Sequence, residues 1–537
     1  MSSDATIAST GTPAVVKAPS TAPPVFDDAL SPENPELVIG LVGAVGTDLD
    51  PVERALTICL KEVGYTALEP IRFSRLLHNI DCYSKLKDIS EEEDRYICHM
   101  DAGDDIRSRL GRKDAMALLG ISEIQLIRRK VKEGAKDKPL PRTAFILRSL
   151  KRPEEVKTLR RIYGDAFHLV AAYSSRAKRI AQLASRLSNK GTRFESPKAA
   201  EPAAVNLINR DEEDRDNKPF GQDVRDAFHL ADVFINMDQE EVTSSVRRFI
   251  ETLFGNPFST PTRDEFCMFH AQGAALRSAE PGRQVGAAIA TPEGQILALG
   301  TNDVARAGGG LYWSDDFDDA REFRYAKDSD TNSSAHRKIL HDLMSKFVDL
   351  GVVNLPAGSS VQKTVDELIP KLRGARLLDV IEFMRAVHAE MCSLADSARR
   401  GIAVSGCTMY VTTFPCHECA KHIVAAGIQK VVFIEPYSKS QVANLFSDSI
   451  VIEPEIMKDK IAFVPFVGVA PRRYMSLFSM SKRKENDGRL VRWQDGKHLA
   501  QPKLAGLAIA YTKHESLAVG ELVEKLEKAG LKLVETE

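Results

Sequence analysis

The sequence predicts an α/β protein of more than one domain, and three observations carry that expectation. Short apolar runs alternate with amphipathic stretches along most of the chain. The first such run ends in glycines and feeds directly into an amphipathic stretch, the order strand, glycine turn, helix. The length of 537 residues also exceeds what one hydrophobic core normally organises. Alternating strands and helices imply largely parallel sheets.

Residues 1–36 are rich in Ala, Ser, Thr and Pro and lack the apolar stretch of a secretory signal, so they are expected to form a disordered lead-in. Order begins at Leu37–Gly43, followed by the turn Ala44-Val45-Gly46-Thr47-Asp48 and a helix over 51–63. Gly40, Gly43 and Gly46 have the look of a phosphate-binding loop at a helix start. Such a loop needs a lysine after its last glycine, and here Thr47 and Asp48 follow Gly46, so the loop is degenerate and phosphoryl transfer is not expected from it. Arg142–Arg148, Phe167–Tyr173 and Ala231–Asn236 read as further strands. Between and after them, helices are expected over 153–162, through Arg176, Arg179 and Arg186, and over 240–254. Residues 255–261 read as a linker.

In the second half, a helix is expected over 263–277 and a hairpin from strands Val285–Ala290 and Ile296–Gly300 about a Pro292-Glu293-Gly294 turn. A charged, helix-prone insertion covers 314–386. Beyond it the order is helix 388–400, strand 407–412, helix 416–426, strand 430–435, helix 440–445 and strand 461–466. The last two strands straddle a helix and should be parallel. Residues 481–537 form an extension ending in an amphipathic helix, with Val519, Leu522, Val523 and Leu526 on its apolar face, that stops at Gly530.

The most specific signal is His388-Ala389-Glu390 followed by Pro415-Cys416-His417-Glu418-Cys419. It supplies three ligands suited to zinc, His388, Cys416 and Cys419, and a carboxylate, Glu390, that need not bind metal. Structural zinc takes four protein ligands, whereas catalytic zinc keeps one position open. Cysteines at a helix start ionise readily, and Pro415 suits a first turn because its missing N–H is no loss there. The pattern H-x-E…P-C-x-x-C is that of zinc-dependent nucleobase deaminases, in which the carboxylate shuttles protons. His417 is expected to face away from the metal and His422 to lie on the helix surface. Cys392 and Cys407 read as small core residues.

Bulk composition narrows the partners. A formal charge of −2 gives no basic footprint for nucleic acid. Eight cysteines in so long a chain do not make a disulfide framework, and no apolar run is long enough to span a bilayer. A cytoplasmic protein without membrane contact is expected.

Residues 37–254, with phrases such as LRSLKRPEEVKTLRRIYG and DAFHLADVFINMD, resemble the P-loop nucleotide and deoxynucleotide kinases. Residues 263–480 resemble the cytidine and deoxycytidylate deaminase family through ALRSAEPGRQVGAAIATPEGQILALGTND, VHAEMCSLADSARRG and PCHECAKHIVAAGIQKVVFIEPYSKS. That resemblance implies an α/β/α domain with a mixed sheet, bound Zn2+, and Asn302 in contact with the sugar, although Thr301-Asn302-Asp303 replaces the usual Tyr-Asn-Gly. Arg283 is a candidate phosphate contact, with a solvated turn residue as the alternative. The pairing of a degenerate kinase-like domain with a deaminase domain, together with FVGVAPRRYMSLF, looks like the bacterial anti-phage dCTP deaminases. This implies hydrolytic conversion of dCTP to dUTP, and of dCMP as well, in a homo-oligomer held in check by an inhibitory RNA or protein. Arg472, Arg473, Lys482 and Arg483 are candidates for the triphosphate or for a basic surface. The rival readings are a housekeeping dCMP deaminase and a nucleic-acid editing deaminase.

Overall fold

The computed structural model describes residues 34–534 apart from 132–137, 190–192, 214–219, 239–240, 327–328, 373–374, 438–439, 453–458, 481, 494–499 and 505–510. Residues 1–33 of the expected lead-in therefore lie outside the described residues. Two sheets, each joined and covered by helices, organise the rest.

The first sheet is built from β1 (Leu37–Val42), β2 (Thr66–Ala67), β3 (Ile71–Arg72), β4 (Thr143–Arg148), β5 (Phe167–Tyr173) and β6 (Val233–Asn236). All six residues of β1 are buried, as its uninterrupted apolar run requires of a central parallel strand. It is flanked by β4 and β5, both parallel to it, and β6 is parallel to β5. The helices Asp50–Glu62 and Val242–Leu253 pack on one face, and Ala115–Val131 and Pro153–Tyr163 on the other. Gly46 has φ 91°, and a Cβ there would stand 2.6 Å from the Arg179 carbonyl, so the turn after β1 needs glycine.

The second sheet takes β7 (Gly286–Ala290) and β8 (Ile296–Thr301) as an antiparallel hairpin. A separate two-residue pairing joins β9 (Asp303–Val304) to β10 (Ala386–Val387). β11 (Thr408–Thr413), β12 (Lys430–Glu435), β13 (Ile450–Val451) and β14 (Ile461–Pro465) complete the sheet in the order β13-β14-β12-β11-β7-β8. β11 is antiparallel to β7 but parallel to β12, and β12 is parallel to β14, so the sheet is mixed and the expected parallel pair is present. The insertion contains the helices Thr331–Asp349 and Val361–Leu368.

Three features go beyond the sequence reading. β15 (Gly468–Val469), which follows the second sheet in the chain, pairs antiparallel with β6, so the first sheet is not wholly parallel. Its register is held by Glu265, fully buried, whose carboxylate accepts from Val469 N at 2.7 Å and from Arg248 at 2.6 Å. The helix Tyr511–Lys528 returns to pack on Ala115–Val131; of its expected apolar face Leu522 and Leu526 are buried and Val519 packs half-buried beside them, while Val523 is 40% exposed. Its anchor is polar. Arg128, wholly buried, donates to Glu36 at 2.6 Å and to Glu515 at 2.5 Å, and Tyr511 donates to Glu36 at 2.7 Å. Finally, Arg473 binds Asp165 at 2.8 Å and Arg472 donates to the Leu230 carbonyl at 3.1 Å. These arginines are spent on the contact with the first-sheet half and do not line the pocket of His388.

Among the described residues no helix is long and apolar enough to cross a membrane, and the eight cysteines are free.

His168 on β5 carries a pH signature. It is wholly buried, neither ring nitrogen has a hydrogen-bond partner, and its ring meets Phe249 edge-on at 5.9 Å. Burial, reinforced by Arg473, lowers its pKa to about 4. The unfolded chain takes up that proton near pH 6.5 and the folded chain only near pH 4, so the protein loses stability as pH falls through this window. Between pH 6.5 and 5 the loss is expected to be roughly 2 kcal/mol. His168→Phe should flatten the fall of Tm over that range; an unchanged slope would assign the acid sensitivity to other groups.

Candidate metal centre and active site

The metal-site residues sit at two helix starts. β10 leads into His388, whose backbone is extended (φ −63°, ψ 151°) and which caps the helix Ala389–Arg399. Glu390, in that helix's first turn, is therefore carried into the protein and is 4% exposed. β11 leads through Phe414 and Pro415 to Cys416, which caps the helix His417–Ala425; its Sγ accepts from Cys419 N at 3.4 Å. The two helices start side by side because β8 supports the first and β11 leads to the second.

His388, Cys416 and Cys419 bring one donor atom each to within 4.8 Å of one another. His388 Nδ1 lies 3.4 Å from Cys416 Sγ and 3.4 Å from Cys419 Sγ. A tetrahedral zinc with bonds of about 2.05 Å to nitrogen and about 2.3 Å to sulfur separates such a pair by about 3.5 Å. The two nitrogen–sulfur separations thus stand close to the edge length of a zinc tetrahedron, the third donor pair lies within 4.8 Å, and the residues present fit the ion. Among the described residues no fourth His, Cys, Asp or Glu joins them, neither His417 nor His422. Three protein ligands are the catalytic pattern.

The electrostatics agree. Hydrogen bonding from the Cys419 thiol and from His388 pulls Cys416 far below the usual thiol range, as a metal-ligating thiolate requires. The His388 ring is raised by the same contact with Cys416. Burial pushes Glu390 up to about 7, against the pull of the neighbouring His388.

Glu390, His388 and Cys416 share a cavity of about 320 Å³. Asn302 and Arg283 also line it. The Asn302 side chain is turned to the backbone: Oδ1 accepts from Val285 N at 2.6 Å and Nδ2 donates to Arg283 O at 2.6 Å. It braces the 283–285 loop at the cavity edge. Arg283 is 56% exposed and pairs with Glu435 at 3.2 Å, which also accepts from Thr413 at 3.3 Å.

Gly43 and Gly46 do not belong to this cavity; they line another, at the end of β1, while Gly40 lies within β1 under the Phe167 ring. Lys482 pairs with Glu485 and Arg483 donates to the Pro257 carbonyl, so neither reaches the cavity.

Sequence reasoning missed several walls. Phe414 stands between β11 and Pro415, edge-on to Phe433 at 4.9 Å, and its adjacency to the cysteines was a usable signal. Glu280 and Tyr437 also line the cavity, and Glu280 is raised by its burial. Ile381 and Met384 come from the insertion. Their segment is held by the helix Thr331–Asp349, where His336 Nε2 is 2.8 Å from the Val380 carbonyl and Asn332 Nδ2 donates to it at 3.0 Å.

Comparison with known proteins finds similarity over part of the chain. Residues 261–435 match the family model described as the cytidine and deoxycytidylate deaminase zinc-binding region. The chain is 37% identical over 90 residues to the deoxycytidylate deaminase of Mus musculus, covering 17% of this chain and 47% of that protein. It is 32% identical over 124 residues to that of Homo sapiens, covering 23% of this chain and 65% of that protein. The matches thus span about half to two thirds of these relatives. A crystal structure of the dCMP deaminase from the cyanophage S-TIM5 in complex with dCMP and dUMP aligns at 17% identity and a TM-score of 0.22, covering 38% of this chain and 98% of that one. Over residues 261–435, then, the chain is similar to the zinc-binding region of the cytidine and deoxycytidylate deaminases.

Proposed function

We propose that the chain is a zinc-dependent hydrolase that deaminates free deoxycytidine nucleotides, dCTP to dUTP and also dCMP to dUMP, releasing ammonia. The observation that carries the reading is the His388, Cys416 and Cys419 triangle with the buried Glu390 beside it in one cavity. Zinc held there would supply Lewis-acid activation of water at neutral pH. Glu390 takes one proton from water and passes it to the ring N3 as oxygen adds at C4, then takes the second from the new C4 hydroxyl and delivers it to the departing amino group. Water and a cytosine become a uracil and ammonia, so atoms and charge balance. Phe414 offers the base an aromatic wall, and Ile381 and Met384 keep the cavity dry.

The same insertion residues favour a free nucleotide over a polymer, since a base within a strand must bring its flanking sugars and phosphates past them. The N-terminal half is read as a kinase-like module that does not transfer phosphate, which suits a regulated dCTP-depleting enzyme of anti-phage defence better than a housekeeping dCMP deaminase. A cytoplasmic homo-oligomer restrained by an inhibitory RNA or protein fits that role. The test is to offer the zinc-loaded protein dCTP, dCMP, CTP and single-stranded DNA and follow ammonia. dCTP is expected to be turned over with the highest kcat/KM; preference for DNA would overturn the free-nucleotide reading, and preference for dCMP the dCTP assignment.

A further inference from the structure

The two halves of the molecule meet beside the mouth of the His388 cavity. Glu435, the last residue of β12, stands there with one carboxylate oxygen turned to each half. Its Oε2 accepts from Arg283 Nη1 at 3.2 Å and from Thr413 Oγ1 at 3.3 Å, and both donors line the cavity. Its Oε1 lies 3.8 Å from Nε2 of His229, a residue of the first half.

His229 directly follows the short helix Val224–Phe228, which is strung between the two halves. At its start the cap residue Asp223 donates its N–H to the Lys151 carbonyl at 2.9 Å, on the segment that follows β4. Past its end the Leu230 carbonyl accepts from Arg472 at 3.1 Å, and Arg472 lies beyond β15. Between these ties the seat of the helix is not filled. Val224 and Phe228 share a cavity of about 240 Å³ with Phe433, Ile434 and Pro436, the neighbours of Glu435 in the chain. Protein interiors are otherwise close-packed, so a void here leaves the helix room to shift. A displacement of the segment after β4 would carry through the helix to His229.

The charge balance at the cavity gives that contact a consequence. Among the described residues lining the cavity, Arg283 is the one arginine or lysine, whereas Glu280 and Glu390 are carboxylates. The phosphates of a nucleotide bring more negative charge. They are drawn to a free guanidinium and repelled by a carboxylate beside it. The Arg283–Glu435 pair neutralises the arginine and places a carboxylate next to it. Arg283 is half in water, where ion pairs are weak, so a competing contact can shift the balance. On the reading of this cavity as the deaminase site, we propose that Glu435 is a latch. Paired with Arg283 it holds the guanidinium off the substrate's phosphates; drawn to His229 it releases it. The first half thereby sets nucleotide affinity through the position of His229.

The experiment is steady-state ammonia release from dCTP by the full-length, zinc-loaded protein, with calorimetric dCTP affinity and Tm measured on the same samples. Glu435→Gln keeps the shape of the side chain and removes its charge. Its KM for dCTP is expected to fall roughly three- to tenfold with kcat and Tm unchanged, since loss of a purely structural contact would not strengthen binding. Adding Arg283→Gln should cancel the gain, because nothing is left to release. His229→Ala is expected to raise KM roughly threefold in the wild-type background and to be silent in Glu435→Gln, the signature of a residue acting through that carboxylate. An unchanged or higher KM in Glu435→Gln, a gain that survives Arg283→Gln, or a His229→Ala effect equal in both backgrounds would overturn the latch. Absence of ammonia release in the wild type would instead overturn the deaminase reading, and the same order of calorimetric affinities would still decide the latch.

Discussion

Glu390→Gln is expected to abolish ammonia release while the protein keeps its zinc. The substitution preserves shape and removes the capacity to accept and return a proton. Glu390 is not one of the three clustered donors, so metal retention does not depend on it. It is 4% exposed and lies in the first turn of the helix that His388 caps, which fixes it beside the metal position with little freedom. General acid–base groups contribute roughly 10²–10⁴-fold. A residue that handles every proton of the reaction should lie at the upper end, so a loss of kcat of about 10³-fold or more is expected. Zinc content by metal analysis and kcat by ammonia release are both needed. Normal turnover in a zinc-replete variant would show that another group shuttles the protons. Loss of zinc would show that Glu390 serves the metal.

The contrast with His388 shows why this part of the site was legible from sequence. Two positions on an extended-to-helical transition point in different directions, one to the ligand triangle and one past it, and a short motif specifies both. The C-x-x-C pair is equally local, since a helix start brings its first and fourth residues to one side. Strand and helix order was legible for the same reason: β1, β5 and β12 are short apolar runs whose neighbours in the chain are amphipathic. What escaped was non-local. Ile381 and Met384 reach the cavity only because His336 and Asn332, more than forty residues upstream, bind the Val380 carbonyl. Asn302 could be placed near the site by resemblance, but its two 2.6 Å bonds to the 283–285 backbone follow from the hairpin's register. Val469 gives no sign in sequence that it will cross to another sheet, because two residues of strand carry no periodicity. The approach of His229 to Glu435 belongs to the same class: neither residue is informative until the two halves stand side by side.

Gly300→Ala should damage both stability and catalysis, although the residue touches neither metal nor substrate. Gly300 sits in β8 opposite Ala287. The helix Ala389–Arg399 rides on the strand at this point so closely that a Cβ on Gly300 would stand 1.9 Å from the Ala389 carbonyl and 2.7 Å from Ser393 N. Both are backbone atoms and cannot swing aside, so the first turn of the helix has to retreat by about an ångström from any side chain. That turn carries His388 and Glu390. Overpacking of this kind costs typically 1–3 kcal/mol, and a clash with backbone on a fully packed face should reach about 3. A misplacement of about 1 Å at reacting groups can cost about 10²-fold in rate. The variant should therefore show a lower Tm, weaker zinc retention under chelator and a kcat/KM down by about two orders of magnitude. Gly273→Ala is the matched control: it lies within the helix Arg263–Ala275, a Cβ there meets nothing within 4 Å, and helix propensity makes it neutral or slightly stabilising. Wild-type turnover in Gly300→Ala would mean that the helix can slide on β8, and that its close seat on the strand is not what aims His388 and Glu390 at one another.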